Sequence, residues 1–354
     1  MAWRRFTRSK PGMISLVFIG GVTLIALLGY LLTPDSTPFS NEQTLELGLK
    51  KPGFRVTCLE VRKEPAVRET GFLRKMIWGA PSTTLVIPVK SFVVKDGLVM
   101  YTEYADDGKL PEVSLKTMPE KKILRITEKR FWLGTDRFGR DYLSQLMIGA
   151  RVSLSVGFIS VFISLVIGIL VGAIGGYYRG WIDNGIVWFI NVIWSIPTLL
   201  LVIAITFALG KGFWQVFVAV GLTMWVEVAR VVRGQVLSVR EKEYVEAGRA
   251  LGFSDFRIIT RHVLPNVMAA VIIISAANFA SAILMEAGLS FLGLGVQPPV
   301  PSWGSMMKEN YGYIVLDYAY LAILPGIAIM LLVLAFMLIG NSLRDALDVK
   351  SSEI

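Results

Sequence analysis

Glu241, Glu243, Glu246 and Arg249, followed by Asp255, Arg257, Arg261 and His262, make a run of charged side chains between two long apolar stretches. Their types supply ion pairs and hydrogen bonds but no nucleophile with a base beside it, so the chemistry they offer is recognition of another surface, not catalysis. His262 is the only histidine and Cys58 the only cysteine, so no His/Cys metal cluster and no intramolecular disulfide can be built. No Gly-x-x-x-x-Gly-Lys-Ser/Thr loop occurs, and the chain is therefore not expected to bind or hydrolyse ATP itself.

The elements that must hold these groups can be read from spacing. Between 241 and 251 the only glycine or proline is Gly248, and Tyr244, Ala247 and Leu251 recur at i, i+3 and i+7, which predicts a short helix with one modestly apolar face. Gly252 suits the position just past a helix end, where a left-handed conformation strains glycine least. Ser254 suits the N-cap of a second short helix, expected to stop before Pro265. Helix, glycine break, helix and proline make a rigid elbow. A solvated helix face is the ordinary explanation of Glu and Arg on such a loop; a docking role needs the whole pattern.

The rest of the chain belongs to a membrane. Of its 354 residues 54% are hydrophobic and only 18% charged, which is wrong for a soluble domain. Crossing about 30 Å of hydrocarbon takes roughly 20 apolar residues. Spans are predicted at 13–32, 152–176, 186–209, 213–232, 267–292 and 318–340. The first follows Arg4, Arg5, Arg8 and Lys10 but exceeds a signal core and lacks a small-x-small cleavage site, so it is read as a retained anchor. Lysines and arginines of short loops stay cytoplasmic, which puts the N-terminal tail, the elbow and the tail with Arg344 and Lys350 inside, and the 210–212 turn and 295–302 loop outside. The +9 net charge is divided among these loops and a mixed-charge insert and forms no stripe for nucleic acid.

Within the spans, Glu227, Asn278 and Glu286 are candidate pathway or intramembrane polar groups, since burying an ionisable side chain there is costly. Helix packing is the plainer role for Asn278, and a partner within the bundle at least as good a reading for Glu286. Gly168, Gly172 and Gly176 are small-xxx-small steps expected at a close helix contact, and Pro197 is expected to kink its span. The segment 34–130 is densely charged, with β-favouring runs at 84–94, 98–102 and 122–126, and is predicted to be a small β-rich module outside the membrane. Its composition leaves a spacer and a binding role equally open.

Glu246-Ala247-Gly248, then Gly252, then Leu264-Pro265 resembles the EAA motif of binding-protein-dependent ABC importer permeases, whose coupling helix enters a cleft on a cytoplasmic ATPase. Further blocks follow in the order of the dipeptide, oligopeptide and nickel permease group. They are Leu133-Gly134-Thr135-Asp136 with Gly139-Arg140-Asp141, 149–154, 175–183, Ser195-Ile196-Pro197, Ala229-Arg230 with Arg233, 289–295, Pro301-Ser302-Trp303-Gly304 and 341–348. The resemblance covers the first span and nearly all of 133–348 and is greatest to the C-type subunit. Two departures stand out: Gly248 replaces the motif's third alanine, costing about 1 kcal/mol of helix propensity, and the insert is long.

The resemblance implies an all-α polytopic membrane protein with a type I importer permease core and a β-rich extracytoplasmic insert. The units expected are a tail and first span at 1–33, the insert at 34–130, a five-span core at 131–345 with its coupling loop at 233–266, and a tail at 346–354. It implies ATPase coupling through Glu246, Ala247, Gly248, Arg249, Gly252, Leu264 and Pro265. The implied partners are a second permease, two ATPase subunits carrying ATP and Mg, and an extracytoplasmic solute-binding protein, all at a bacterial inner membrane with both termini cytoplasmic. This chain would bind no cofactor of its own. A stand-alone secondary transporter is the main alternative, but internal hydropathy repeats and a broken-helix midplane site are not clear in the sequence. A membrane enzyme lacks any catalytic constellation.

Overall fold

A computed structural model describes residues 2–63, 71–104, 115–210 and 212–347. A short helix α1 (Ala2–Phe6) leads into α2 (Lys10–Leu32), whose first turn is capped by Ser9, its Oγ accepting the Gly12 N–H at 3.3 Å. Beyond it lie β1 (Phe54–Arg62), α3 (Phe72–Trp78), β2 (Thr84–Lys95), β3 (Leu98–Glu103), β4 (Leu115–Pro119) and β5 (Ile123–Phe131). They confirm a β-rich insert: one antiparallel sheet in the order β4-β3-β2-β1-β5. The β2–β3 hairpin turns through Asp96 and Gly97, both at positive φ, the pair that a two-residue hairpin turn of this hand favours.

The insert is seated on the helices by backbone approach. Gly134 and Gly139 have φ of +74° and +71°, and a Cβ on them would lie 2.1 Å from the Lys50 carbonyl oxygen and 1.8 Å from that of Thr44. Only glycine meets both demands. Thr135 completes the seam, its Oγ accepting the Lys50 N–H at 2.8 Å and donating to the Leu47 carbonyl at 2.5 Å.

Asp141 then caps α4 (Tyr142–Tyr178), its Oδ2 accepting the Ser144 N–H at 2.8 Å. The cap starts this helix ten residues before the predicted apolar run. After it come α5 (Gly180–Trp194), α6 (Thr198–Leu209), α7 (Phe213–Val239), α8 (Glu243–Ala250), α9 (Asp255–Ile258), α10 (Leu264–Phe291), α11 (Trp303–Asn310) and α12 (Tyr320–Leu347). Five helical stretches among the described residues are long and apolar enough to span a membrane. The pair α5 and α6, bent by 89°, makes a sixth if counted together. At about 22 and 18 Å neither half crosses alone. The expected kink at Pro197 is thus a full break, since Ser195, Ile196 and Pro197 interrupt the hydrogen-bond ladder.

α4 and α7 form the central pair. On Gly168 a Cβ would sit 2.5 Å from the Val228 side chain, on Gly172 2.5 Å from the Ala229 carbonyl oxygen, and on Gly176 2.8 Å from that of Arg233. The glycine steps therefore bring the two backbones together, as small residues do between membrane helices. Around this seam Val156, Val216, Phe217, Val220 and Leu289 pack towards one end and Val228, Val232, Val236 and Val267 towards the other. The apolar run of α7 was read as ending at 232, but the helix continues to Val239. Asp183 explains it: Arg233 Nε and Nη2 donate to its Oδ1 and Oδ2 at 2.5 and 2.7 Å, giving the charge a partner inside the bundle. The connection to α10 is accordingly 240–263 instead of 233–266. At the other end α12 runs on to Leu347, while Lys350 lies outside the described residues, as does Lys211 of the 210–212 turn.

Candidate functional site

The elbow starts where α7 ends. Arg240 donates to the Tyr177 carbonyl, and Glu241 pairs with Arg179, which holds its carboxyl below the usual range. In α8, Glu243 and Glu246 occupy the first turn and Arg249 the last, the arrangement the helix dipole favours. The helix closes as expected at Gly252, with φ of +75°. There the Phe253 N–H reaches the Gly248 carbonyl at 3.1 Å and the Gly252 N–H that of Arg249 at 2.9 Å, the paired bonds of a Schellman stop.

The fold decides which side of α8 faces the protein, a point the spacing left open, and it corrects one boundary. The spaced apolar residues do not face the protein: Tyr244 and Leu251 are 45% and 73% exposed, Ala247 is exposed too, and Phe256 on α9 is 77% exposed. The face turned inward is Val245 with Gly248, and Val245, Ile258 and Val263 are fully buried against Val232, Val236 and Val267. Nor does the second helix stop before Pro265. Ser254 begins α9 by its extended backbone, without a side-chain cap bond, and α9 passes through a π-helical turn, Ile259–Val263, into α10 with Pro265 in its first turn. The wider turn takes up the strain proline brings, because a residue without an N–H fits where ladder bonds are already shifted. Asp255–Phe291 is therefore one 37-residue rod, with Leu264 half-buried at its joint.

Tyr177, at the end of α4, fastens the elbow from below. Its hydroxyl donates to Asp255 Oδ1 at 2.7 Å, and the Arg249 guanidinium lies 5.2 Å from its ring centre. Arg249 is thus turned towards the bundle, while Glu246 faces out. His262 stacks on Phe253 with ring centres 6.0 Å apart, and no metal-ligand group of three occurs among the described residues. Val245, Ile258 and Tyr177 were missed as parts of the site; the i, i+3 pairing of Val245 with Gly248 was the available signal.

The intramembrane polar groups separate. Glu286 is fully buried, accepting from Ser290 at 2.6 Å and Ser153 at 3.4 Å, with Ser302 of the 295–302 loop 3.3 Å from Ser290. It joins α4, α10 and the capped start of α11. Asn278 is 1% exposed, packed within the bundle, and neither its Oδ1 nor its Nδ2 has a hydrogen-bond partner among the described residues. Glu227, midway along α7, is exposed on the side away from α4, and one turn on Arg230 donates to Asn191 at 3.2 Å and stacks on Trp194.

A bundle of five or six spans with one broken helix, and a rigid elbow between two of them, is the architecture of a membrane transport subunit. Residues 164–352 match the family model described as binding-protein-dependent transport system inner membrane component, and residues 1–52 match the N-terminal TM domain of oligopeptide transport permease C. The chain belongs to this permease family. Glutathione transport system permease proteins GsiD of Pectobacterium atrosepticum and Escherichia coli are each 41% identical over 219 residues, 62% of this chain and 72% of theirs. Among solved structures, an inward-facing crystal form of the MetNI methionine ABC transporter is 21% identical over 58% of this chain and 98% of its own, with a TM-score of 0.48. The protein is the permease subunit of an ABC importer, multi-pass in the inner membrane and non-catalytic, with the ATPase on a separate subunit. The family generally works with a partner permease, ATPases and a binding protein.

Proposed function

We propose that the outward face of the elbow, Tyr244, Ala247, Leu251 and Phe256 with Glu246 at its edge, is the surface gripped by a cytoplasmic ATPase. The carrying observation is the division of α8 between a buried base, Val245, and an exposed apolar face. Gly248 and Gly252 shape the stop, Arg249 ties it to Tyr177, and Leu264 and Pro265 lie at the joint with α10. ATP binding that closes two ATPase subunits would carry the elbow, and with it α7 and α10, between outward and inward access. ATP and Mg belong to those subunits. Both termini are cytoplasmic in this reading, and the 34–130 insert is extracytoplasmic, under an extracytoplasmic binding protein.

Glu227 lines the pathway, shared with a second permease. An exposed carboxylate halfway along a spanning helix is costly in lipid, so that face of α7 is turned to water or to protein. The solute is a small peptide, glutathione included, as the names of the relatives suggest. The test is uptake of labelled glutathione and of a dipeptide into proteoliposomes holding the purified complex. ATP-dependent, saturable uptake of either supports the reading. Uptake by this chain alone on an ion gradient, without ATPase, would instead make it a secondary transporter.

A further inference from the structure

The sheet and α3 of the insert lie between the two family matches, which end at 52 and resume at 164, so neither assigns them a role. Its helix α3 hides no side chain: Phe72, Leu73 and Trp78 are 67%, 68% and 65% exposed, and Ile77 is exposed as well. By helical spacing Phe72, Leu73, Met76 and Ile77 share one side, and Arg74 and Lys75 the other.

The depth of this helix is fixed by what holds it. Arg151 Nη1 donates to the carbonyls of Met76 and Ile77 at 3.4 and 2.8 Å. Arg151 immediately precedes the apolar run 152–176 of α4, which at 1.5 Å per residue is about 37 Å long and so fills the hydrocarbon layer. The arginine therefore stands at the membrane surface on the insert's side. Tyr30, near the end of α2, has its ring centre 5.7 Å from the same guanidinium. The Ala80 N–H donates to the Ser36 carbonyl at 2.9 Å, four residues past the end of α2. α3 also packs on α2, whose Leu24, Leu27 and Leu32 are more than half exposed and must face lipid tails.

We infer that α3 lies in the membrane interface as a lipid anchor for the insert, with Phe72, Leu73 and Ile77 entering the acyl boundary and Arg74 and Lys75 meeting lipid phosphates. It packs against α2, which carries exposed leucines of its own. Trp78 at its end is the residue type enriched at headgroup level, and a basic face opposite an apolar one is the pattern of interfacial helices. The anchor presses the sheet onto the bilayer beside the start of α4 and thereby fixes the insert's orientation. The inference stands apart from the solute and from the coupling surface.

The test places single nitroxide labels at Leu73→Cys and Ile77→Cys, and at Lys95→Cys on the exposed β2–β3 hairpin, in the full chain in nanodiscs of phosphatidylcholine and phosphatidylglycerol. Cys58 is fully buried and can stay, with the unsubstituted chain as labelling control. Power saturation then compares dissolved oxygen, which concentrates in lipid, with a water-soluble nickel chelate. The expected result is relaxation at 73 and 77 several-fold stronger by oxygen than by the chelate, with the order reversed at 95. The inference is overturned if the chelate reaches 73 and 77 as it reaches 95, or if neither reagent reaches them, which would mean that protein covers the helix.

Discussion

Replacing Val245 by alanine separates gripping from pulling. The side chain is fully buried in the cluster that holds the elbow against α7 and α10, whereas Tyr244, Leu251 and Phe256 point the other way. Trimming it removes buried methyl groups and leaves a small cavity, a loss of about 1–3 kcal/mol for a substitution of this size. If that energy is what seats the elbow, its unseated population rises roughly 5- to 150-fold. The ATPase should still bind and hydrolyse ATP, because its docking face is untouched, but fewer solute molecules should cross per ATP. The assay is paired measurement of phosphate release and solute uptake in proteoliposomes, with Ile258→Ala as a second buried site and Glu243→Ala as an exposed control. Wild-type transport per ATP in both buried variants, at normal assembly, would refute the idea that this cluster transmits the motion.

Other consequences follow from the same geometry. Leu251→Ala with Phe256→Ala should weaken ATPase affinity by roughly 100-fold, about 1.5 kcal/mol for each side chain now about three-quarters exposed and then buried, as titration of the solubilised permease would measure. Gly172→Ala and Gly248→Ala should move thermal stability in opposite directions. The first drives a Cβ to 2.5 Å from the Ala229 carbonyl and destabilises by about 1–3 kcal/mol, while the second meets nothing nearer than 3.5 Å and gains up to about 1 kcal/mol of helix propensity. Burial pushes the Cys58 thiol from its ordinary 9.0 up to about 11. Folding thus favours its protonated form, and this contribution to stability is full below pH 9 and fades as pH rises towards 11. Maleimide should accordingly leave the native insert unlabelled at neutral pH and mark it on thermal unfolding.

The centres of the spans were legible because hydrocarbon demands long apolar runs; their ends were not, because polar groups decided them. Asp141 extends α4 outward by capping it, and the Asp183 to Arg233 pair lets α7 run on past its apolar stretch. In the insert, the runs at 84–94, 98–102 and 122–126 became β2, β3 and the start of β5. The inner strand β1, between β2 and β5, was missed because Arg55, Thr57 and Glu60 break up its apolar content, although Cys58 and Leu59 are fully buried. The elbow's glycine stop was readable at Gly252. Which side of α8 faces the protein was not, since a surface meant for a partner and a surface meant for the core are both apolar at helical spacing. Only the fold shows that Val245 takes the core and leaves Tyr244 and Leu251 outside.

The most direct test of the account is co-purification. The tagged chain and a variant with residues 243–252 scrambled are drawn from native membranes in mild detergent, and the accompanying proteins are identified by mass spectrometry. ATPase subunits should accompany the wild type and be lost from the scrambled chain while a second permease stays with both. ATPase retained at wild-type levels by the scrambled chain would contradict the claim that this elbow is where the importer is driven.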